Sequence, residues 1–155
     1  MEMPRVTDAH RKLEKLVGNW LGDEKISPSP FDPNGGPAVG HVQNRLALDG
    51  FAVIQDYEQQ REGKTSFRGH GVFCYDFRQQ KYHMYWFDSM GMGPNDYCGT
   101  FEGDVLTLNY TSQAGMGHGR AIFDLRENGM YKFRLEVSPD AKTWHTFLEG
   151  KYTRK

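Results

Sequence analysis

At 155 residues, with 25% charged residues and a formal net charge of -1, the chain is long enough for one domain with a real core. It carries no positive excess to hold a polyanion, so nucleic-acid binding is not expected, and no apolar run approaches the roughly 18 residues of a membrane helix. Aromatics at 14% together with 18 glycines point instead to pleated strands joined by tight turns. The opening residues, Met1 to Asp8, lack the apolar stretch of a secretory leader, so a cytoplasmic location is expected. On that footing Cys74 and Cys98 are reduced thiols rather than a disulfide.

One segment has a helical period. Thr7 or Asp8 can cap it, His10, Leu13, Leu16 and Val17 recur at three- and four-residue spacing, and Gly18 ends it. A helix over about 7–17 is too short to stand alone and must pack on something. From 19 onward the period is two. Strands are expected near 19–26, 39–48, 51–61, 64–76, 81–88, 96–102, 104–110, 119–127, 130–138 and 143–153. The stretch 27–37 is too rich in proline to pair within a sheet. Two-residue turns are read at Asp49-Gly50, Glu62-Gly63, Glu102-Gly103 and Asn128-Gly129, where glycine supplies positive φ. About ten short strands in sequential hairpins make an all-β antiparallel up-and-down meander over a single domain, 1–155. A meander of that length closes into a barrel, over about 19–153, because closure alone removes the exposed edges.

The turns also predict which side chains share a face. Asp49-Gly50 pairs Leu46 with Val53, Asn44 with Gln55 and Val42 with Tyr57. Carried through Glu62-Gly63, that register sets Tyr57 beside Arg68, Gln55 beside His70 and Val53 beside Val72. Pairing Asp76 with Lys81 then puts Cys74 with His83, Val72 with Tyr85 and His70 with Phe87. The inner face on this reading mixes Asn44, Gln55, Tyr57, Arg68, His70, His83 and Tyr85 with Leu46, Val53, Val72 and Phe87. Glu24 also points inward. Burying so many unpartnered polar groups costs roughly 1–3 kcal/mol each, so they satisfy one another or face water and a ligand. Arg68 and His70 beside an apolar wall suit a small organic ligand with an apolar body and a polar or acidic head. The other face of strands four and five carries Phe67, Phe73, Tyr75, Met84 and Trp86, too apolar to stay wet, so the helix or a second copy in a homodimer is expected to cover it.

Gly18, Trp20 and Gly22 resemble the first-strand signature of calycins, the superfamily of lipocalin-like barrels. The resemblance implies that Trp20 plugs the closed end of the barrel and that an arginine of the last strand, here Arg154, packs over it. Longer stretches, 48–54, 67–73, 82–91 and 144–152, resemble the mainly bacterial DUF1579 family, a domain of unknown function. Asp140-Ala141 departs from the Asp-Gly expected in that turn. The family implies the lipocalin-like fold and brings no activity with it.

The remaining chemistry is weighed residue by residue. His10 and His41 read as surface residues, and His118 lies in a loop, 113–119, able to close over a cavity mouth. His70, His83 and Cys74 form no close-spaced metal motif, so neither a metal nor another cofactor is predicted. Haem is the alternative ligand, because nitrobindins are calycin barrels that hold haem through a histidine near the C-terminus. His145 occupies a comparable place, although the turn at 138–143 sets it opposite Glu136 in an ordinary cross-strand pair. Asp88, Ser89 and His70 have no nucleophile elbow around them, and 88–90 reads as a capped turn. No enzyme class is assigned. The enzymatic alternative uses His70 as acid or base with Glu24 or Glu149.

Overall fold

The computed structural model describes residues 1–30, 32–111 and 117–155. Its ten strands are β1 Gly18–Ile26, β2 Gly36–Ala47, β3 Ala52–Arg61, β4 Lys64–Asp76, β5 Lys81–Asp88, β6 Asn95–Glu102, β7 Val105–Thr111, β8 His118–Asp124, β9 Met130–Ser138 and β10 His145–Arg154. Every strand pairs antiparallel with its sequence neighbours, and β1 also pairs β10, so the sheet closes with no free edge. The expected strands all form.

The helix is shorter than its period suggests. A single turn, α1 Asp8–Arg11, tightens into a 3-10 segment over Lys12–Leu16. Two buried leucines, Leu13 and Leu16, hold it against one end of the barrel. The tightened turn leaves the Leu16 carbonyl free to accept from Trp20 Nε1 at 2.9 Å and Asn44 Nδ2 at 2.8 Å. His10 is not at the surface, as its helical position suggested. It is buried edge-on against Phe51 and Tyr75, and its Nδ1 accepts from the Thr7 backbone N–H at 3.0 Å.

At this end the calycin expectation holds in detail. Trp20 is 1% exposed, and the Arg154 guanidinium lies 4.4 Å over its ring while donating to the Val17 carbonyl. Gly18 has φ +145°, and a Cβ there would stand 2.3 Å from Arg154 Nη1, so only glycine admits the arginine. Above Trp20 the inward side chains of Val53, Phe73, Leu106, Leu108, Phe123 and Tyr131 are all 3% exposed or less. Each contributes about 1.5–3 kcal/mol by burial.

Register is where sequence and structure part. Val42 pairs Tyr57, Asn44 pairs Gln55 and Leu46 pairs Val53, as expected, although 48–51 is a wider turn than two residues. Arg61 pairs Lys64 across Glu62-Gly63, also as expected. Between Gln59 and Gln60 the ladder then shifts: Gln60 faces Thr65 but Gln59 faces Phe67, leaving Ser66 as one extra residue on β4. Such a bulge moves every later side chain of its strand to the other face. Gly69 therefore opposes Tyr57, Gly71 opposes Gln55 and Phe73 opposes Val53. The β4–β5 pairings read from the sequence are correct, with His83 beside Cys74 and Tyr85 beside Val72, but that whole row lies outside. Phe67, Phe73, Tyr75, Met84 and Trp86 line the interior, so the apolar face that called for a partner chain is the barrel's own core. Two further links differ: Glu102 pairs Val105 around Gly103-Asp104, and Asn128-Gly129 belongs to the loop 125–129.

Candidate functional site

The barrel interior has two halves. Toward the helix it is filled. Toward the other end, alternation still points Tyr57, Phe67, Trp86, Tyr97, Tyr110 and Phe133 inward, yet each is only half-buried. This half holds a smaller buried cluster, Ile26, Ala38 and Leu148, with partly exposed rings around it. Its walls are ordered by contact. Tyr57 lies 6.1 Å from Phe67 and 6.3 Å from Trp86, and Tyr97 stacks on Tyr110 at 5.2 Å. Trp86 lies flat against β4 because position 69 is glycine, where a Cβ would stand 2.2 Å from the indole. Its Nε1 donates to Asp88 at 2.9 Å. Burial pushes the Tyr97 hydroxyl up to about 12, so it remains a hydrogen-bond donor at any working pH.

Glu24 marks the boundary between the halves. It is 2% exposed, and Tyr57 donates to its two carboxyl oxygens at 2.9 and 2.8 Å. Tyr152 donates to Oε2, and Gln59 Nε2 reaches both Oε1 at 3.4 Å and the Tyr57 hydroxyl at 2.9 Å. No cation is hydrogen-bonded to it among the described residues. Burial lifts the Glu24 carboxyl above the ordinary carboxylate range, and the donated hydrogen bonds from Tyr152, Tyr57 and Gln59 oppose that lift without cancelling it.

Nearer the helix end, Asn44 and Gln55 face each other across β2 and β3, at 3% and 6% exposure, with Asn44 opposite Gly18 and donating to the Leu16 carbonyl. Asn44 Oδ1 is buried without a partner, and no side-chain hydrogen bond holds the Gln55 amide among the described residues. Buried polar atoms left so cost roughly 1–3 kcal/mol each unless water or a ligand reaches them.

Of the residues expected to share the cavity, Glu24, Asn44, Gln55 and Tyr57 point inward, and the structure brings Glu24 and Tyr57 together while Asn44 and Gln55 pair nearer the helix end. Arg68, His70, His83 and Tyr85 are corrections: the Ser66 bulge turns all four outward. Arg68 Nε stands 4.0 Å from Glu58, and His70 Nδ1 is 2.7 Å from Asp56. Glu149, on β10 between Lys25 and Arg134, also faces out, so neither carboxylate joins His70 as an acid–base pair. His83 pairs with Asp96 at 2.8 Å and stacks on Tyr85, and burial raises the neighbouring Cys98 thiol rather than activating it. No group of three or more histidine, cysteine, aspartate or glutamate side chains is arranged to hold a metal among the described residues. Ser89 closes a capped turn, its hydroxyl accepting from the Arg68 N–H.

His145 is displaced as well. A second bulge at Phe147 sets it opposite Val137 rather than Glu136, at the open rim and on the inward side of the ladder. His118 begins β8 beside Thr111; the loop 112–116 that would have carried it over the mouth lies outside the described residues.

Two clefts of about 790 and 600 Å³ also cross the outer surface, the larger around His41, Asp56, Arg68 and His70. Their charges are already paired and solvated, with Lys155 on His41 and Asp56 on His70. The interior has the aromatic lining the clefts lack, which makes it the better candidate despite the size of the clefts. Trp86, Tyr97, Tyr110, Gln59 and Tyr152 were not among the expected site residues. The signal for them was the alternation of aromatics with Gly69 and Gly71, which outweighs a turn count.

Comparison with known proteins agrees with the fold. The family model described as a protein of unknown function, DUF1579, matches residues 5–154. Among curated proteins none matches. Two solved structures are similar over nearly the whole of both chains. Rv2717c from M. tuberculosis has a TM-score of 0.70 at 13% identity, covering 97% of this chain and 99% of that one. The S-type phycobiliprotein lyase CPES from Guillardia theta has a TM-score of 0.65 at 9% identity, covering 98% of each. At these identities the likeness is one of fold. No helix among the described residues is long and apolar enough to cross a membrane.

Proposed function

The chain belongs to the DUF1579 family of proteins of unknown function, and we propose that its lipocalin-like barrel binds a small organic molecule in the half of the interior away from the helix. The observation that supports this reading is the partial exposure of inward-facing Tyr57, Phe67, Trp86, Tyr97, Tyr110 and Phe133. The helix end by contrast buries Trp20, Phe73, Phe123 and Tyr131 at 3% exposure or less. The ligand has an apolar body for these rings and a polar head for the Tyr57 and Gln59 side chains at the boundary cluster. Arg68 gives no support for an acidic head, since it faces solvent.

Titration with the neutral fluorescent probe phenylnaphthylamine tests this. Saturable emission is expected from the native protein and not from Leu135→Trp, which fills the hollow from β9, with circular dichroism showing that the variant is folded. Emission that fails to saturate, or that is equal in both proteins, overturns the reading.

One observation favours haem as a second reading. His145 stands at the open rim with inward parity and without a hydrogen-bond partner among the described residues, free to act as an axial ligand. A Soret band on adding haem, lost in His145→Ala, is the expected result; a band unchanged in that variant removes this reading and leaves the first.

A further inference from the structure

The first turn of the chain is closed by a side chain that titrates. Thr7 and His10 form a reciprocal capping box at the start of α1, with His10 in the place where glutamate or glutamine usually stands. His10 Nδ1 accepts from the Thr7 backbone N–H at 3.0 Å and lies 2.9 Å from the Thr7 hydroxyl. A ring nitrogen that accepts from an N–H carries no proton, so this contact exists only with a neutral imidazole. The ring is held in place: it is 7% exposed, 5.0 Å edge-on to Phe51 and 5.3 Å edge-on to Tyr75. Its surroundings supply nothing to hold an imidazolium. On its own turn, Arg11 adds like charge and takes the Asp8 carboxylate for itself at 2.8 Å. The turn before β3 presents Phe51, β4 presents Tyr75, and β5 presents the Tyr82 hydroxyl, which donates to the Ala9 carbonyl at 2.6 Å. No carboxylate is ion-paired with His10 among the described residues.

We propose that α1 is an acid-released clasp on the closed end of the barrel. When His10 gains a proton, the capping box opens and residues 1–11 leave the faces of Phe51 and Tyr75, while buried Leu13 and Leu16 keep the 3-10 segment seated. The added proton turns a donor toward the Thr7 N–H, which is then left without a partner, and puts a charge where water is scarce. Burial, and after it Arg11, holds the imidazole below its ordinary value. The docked ring therefore resists protonation, so the clasp is fully closed above about pH 6.5, the value of a free imidazole, and weakens as pH falls below it. The consequence is an aromatic face hidden at neutral pH and uncovered in mild acid.

Amide hydrogen exchange tests this, with protection factors corrected for the intrinsic pH dependence of exchange. The reporters are the Arg11 and Lys12 amides, which donate to the Thr7 and Asp8 carbonyls. Their protection should fall about five- to tenfold between about pH 7.5 and 5.5, with the β4 amides unchanged. His10→Gln keeps an acceptor at the same place and removes the titration, so its protection should stay level. Protection that is level in the native protein, that falls as far in His10→Gln, or that falls together with the β4 amides overturns the clasp. If His10→Gln does not fold, the nitrogen chemical shifts of His10 in the native protein decide. Nδ1 should lack a proton at neutral pH and gain one in step with the loss of protection; a proton already on Nδ1, or a titration out of step, overturns the clasp as well.

Discussion

The two ends of this barrel are built from the same strands and the same alternation, yet one is closed and largely buried and the other is open with partly exposed rings. At the helix end, Trp20, Phe73, Leu106, Leu108 and Phe123 share one buried cluster and Arg154 covers Trp20 from outside. At the far end, rings of similar size touch one another at 5.2 to 6.3 Å between centroids but stay partly exposed. What differs is the stopper. Leu13 and Leu16 cap one mouth, whereas no helix covers the other among the described residues. Aromatic content therefore does not by itself make a core; a closed end does.

That contrast can be broken most directly by truncation. Trp20→Ala should cost about 3–5 kcal/mol, and Phe67→Ala at the open half under about 2 kcal/mol, because water already reaches it. Urea denaturation of the two variants gives both figures. Equal losses would mean that the far half is as tightly packed as the near one.

The boundary cluster sharpens the comparison next. Tyr57→Phe removes the hydroxyl that donates to both oxygens of Glu24 and should cost about 1–3 kcal/mol. The pH profile carries a second signature. Because the folded-state pKa of Glu24 is raised, the folded protein binds the proton more tightly than the unfolded chain does. Its contribution is most favourable near and below the unfolded carboxylate pKa and is lost as pH rises through the folded one. Each unit of difference is worth about 1.4 kcal/mol. Glu24→Gln should flatten that fall, measured as melting temperature against pH; a profile that keeps its slope in the variant would assign the titration to another group.

Smaller effects follow at the surface. Arg154→Ala loses a cation–π contact and one hydrogen bond and should cost about 1–2 kcal/mol by thermal melting. Asp56→Asn on the outer face should cost under about 1 kcal/mol, since both partners of the Asp56–His70 pair are about half exposed. Were Asp56→Asn to rival Tyr57→Phe, the outer cleft would replace the interior as the better candidate site.

The strands, their order, the closure and the Trp20–Arg154 plug were legible in the sequence, because period-two patterning and short links leave an all-β chain few arrangements. The interior was half legible. Asn44, Gln55 and Tyr57 were read correctly as inward, since the path from Asp49-Gly50 to them crosses no bulge, and Glu24 points inward as well. Arg68, His70, His83 and Tyr85 were not, because a turn specifies the register only up to the first bulge. Nothing in Gln59, Gln60 or Ser66 announces an extra residue. The composition of β4 did announce its result: Phe67, Gly69, Gly71, Phe73 and Tyr75 make a far better inner face than Arg68, His70 and Val72. Where a count of turn residues and the burial of aromatics disagree, burial carries the larger free energy and should decide.

Trp86 gives the barrel an optical property of its own. The chain has three tryptophans, and each occupies a different medium: Trp20 is sealed in the core, Trp86 borders the hollow, and Trp144 lies on the outer surface beneath the Arg120 guanidinium at 4.0 Å. Their emission should separate by colour and by access to a dissolved quencher: Trp20 blue and protected, Trp144 red and readily quenched, Trp86 between them. Anything that enters the hollow displaces water from one indole and leaves the other two untouched. A Trp20→Phe, Trp144→Phe double variant would then report occupancy through a single native chromophore, with no label attached.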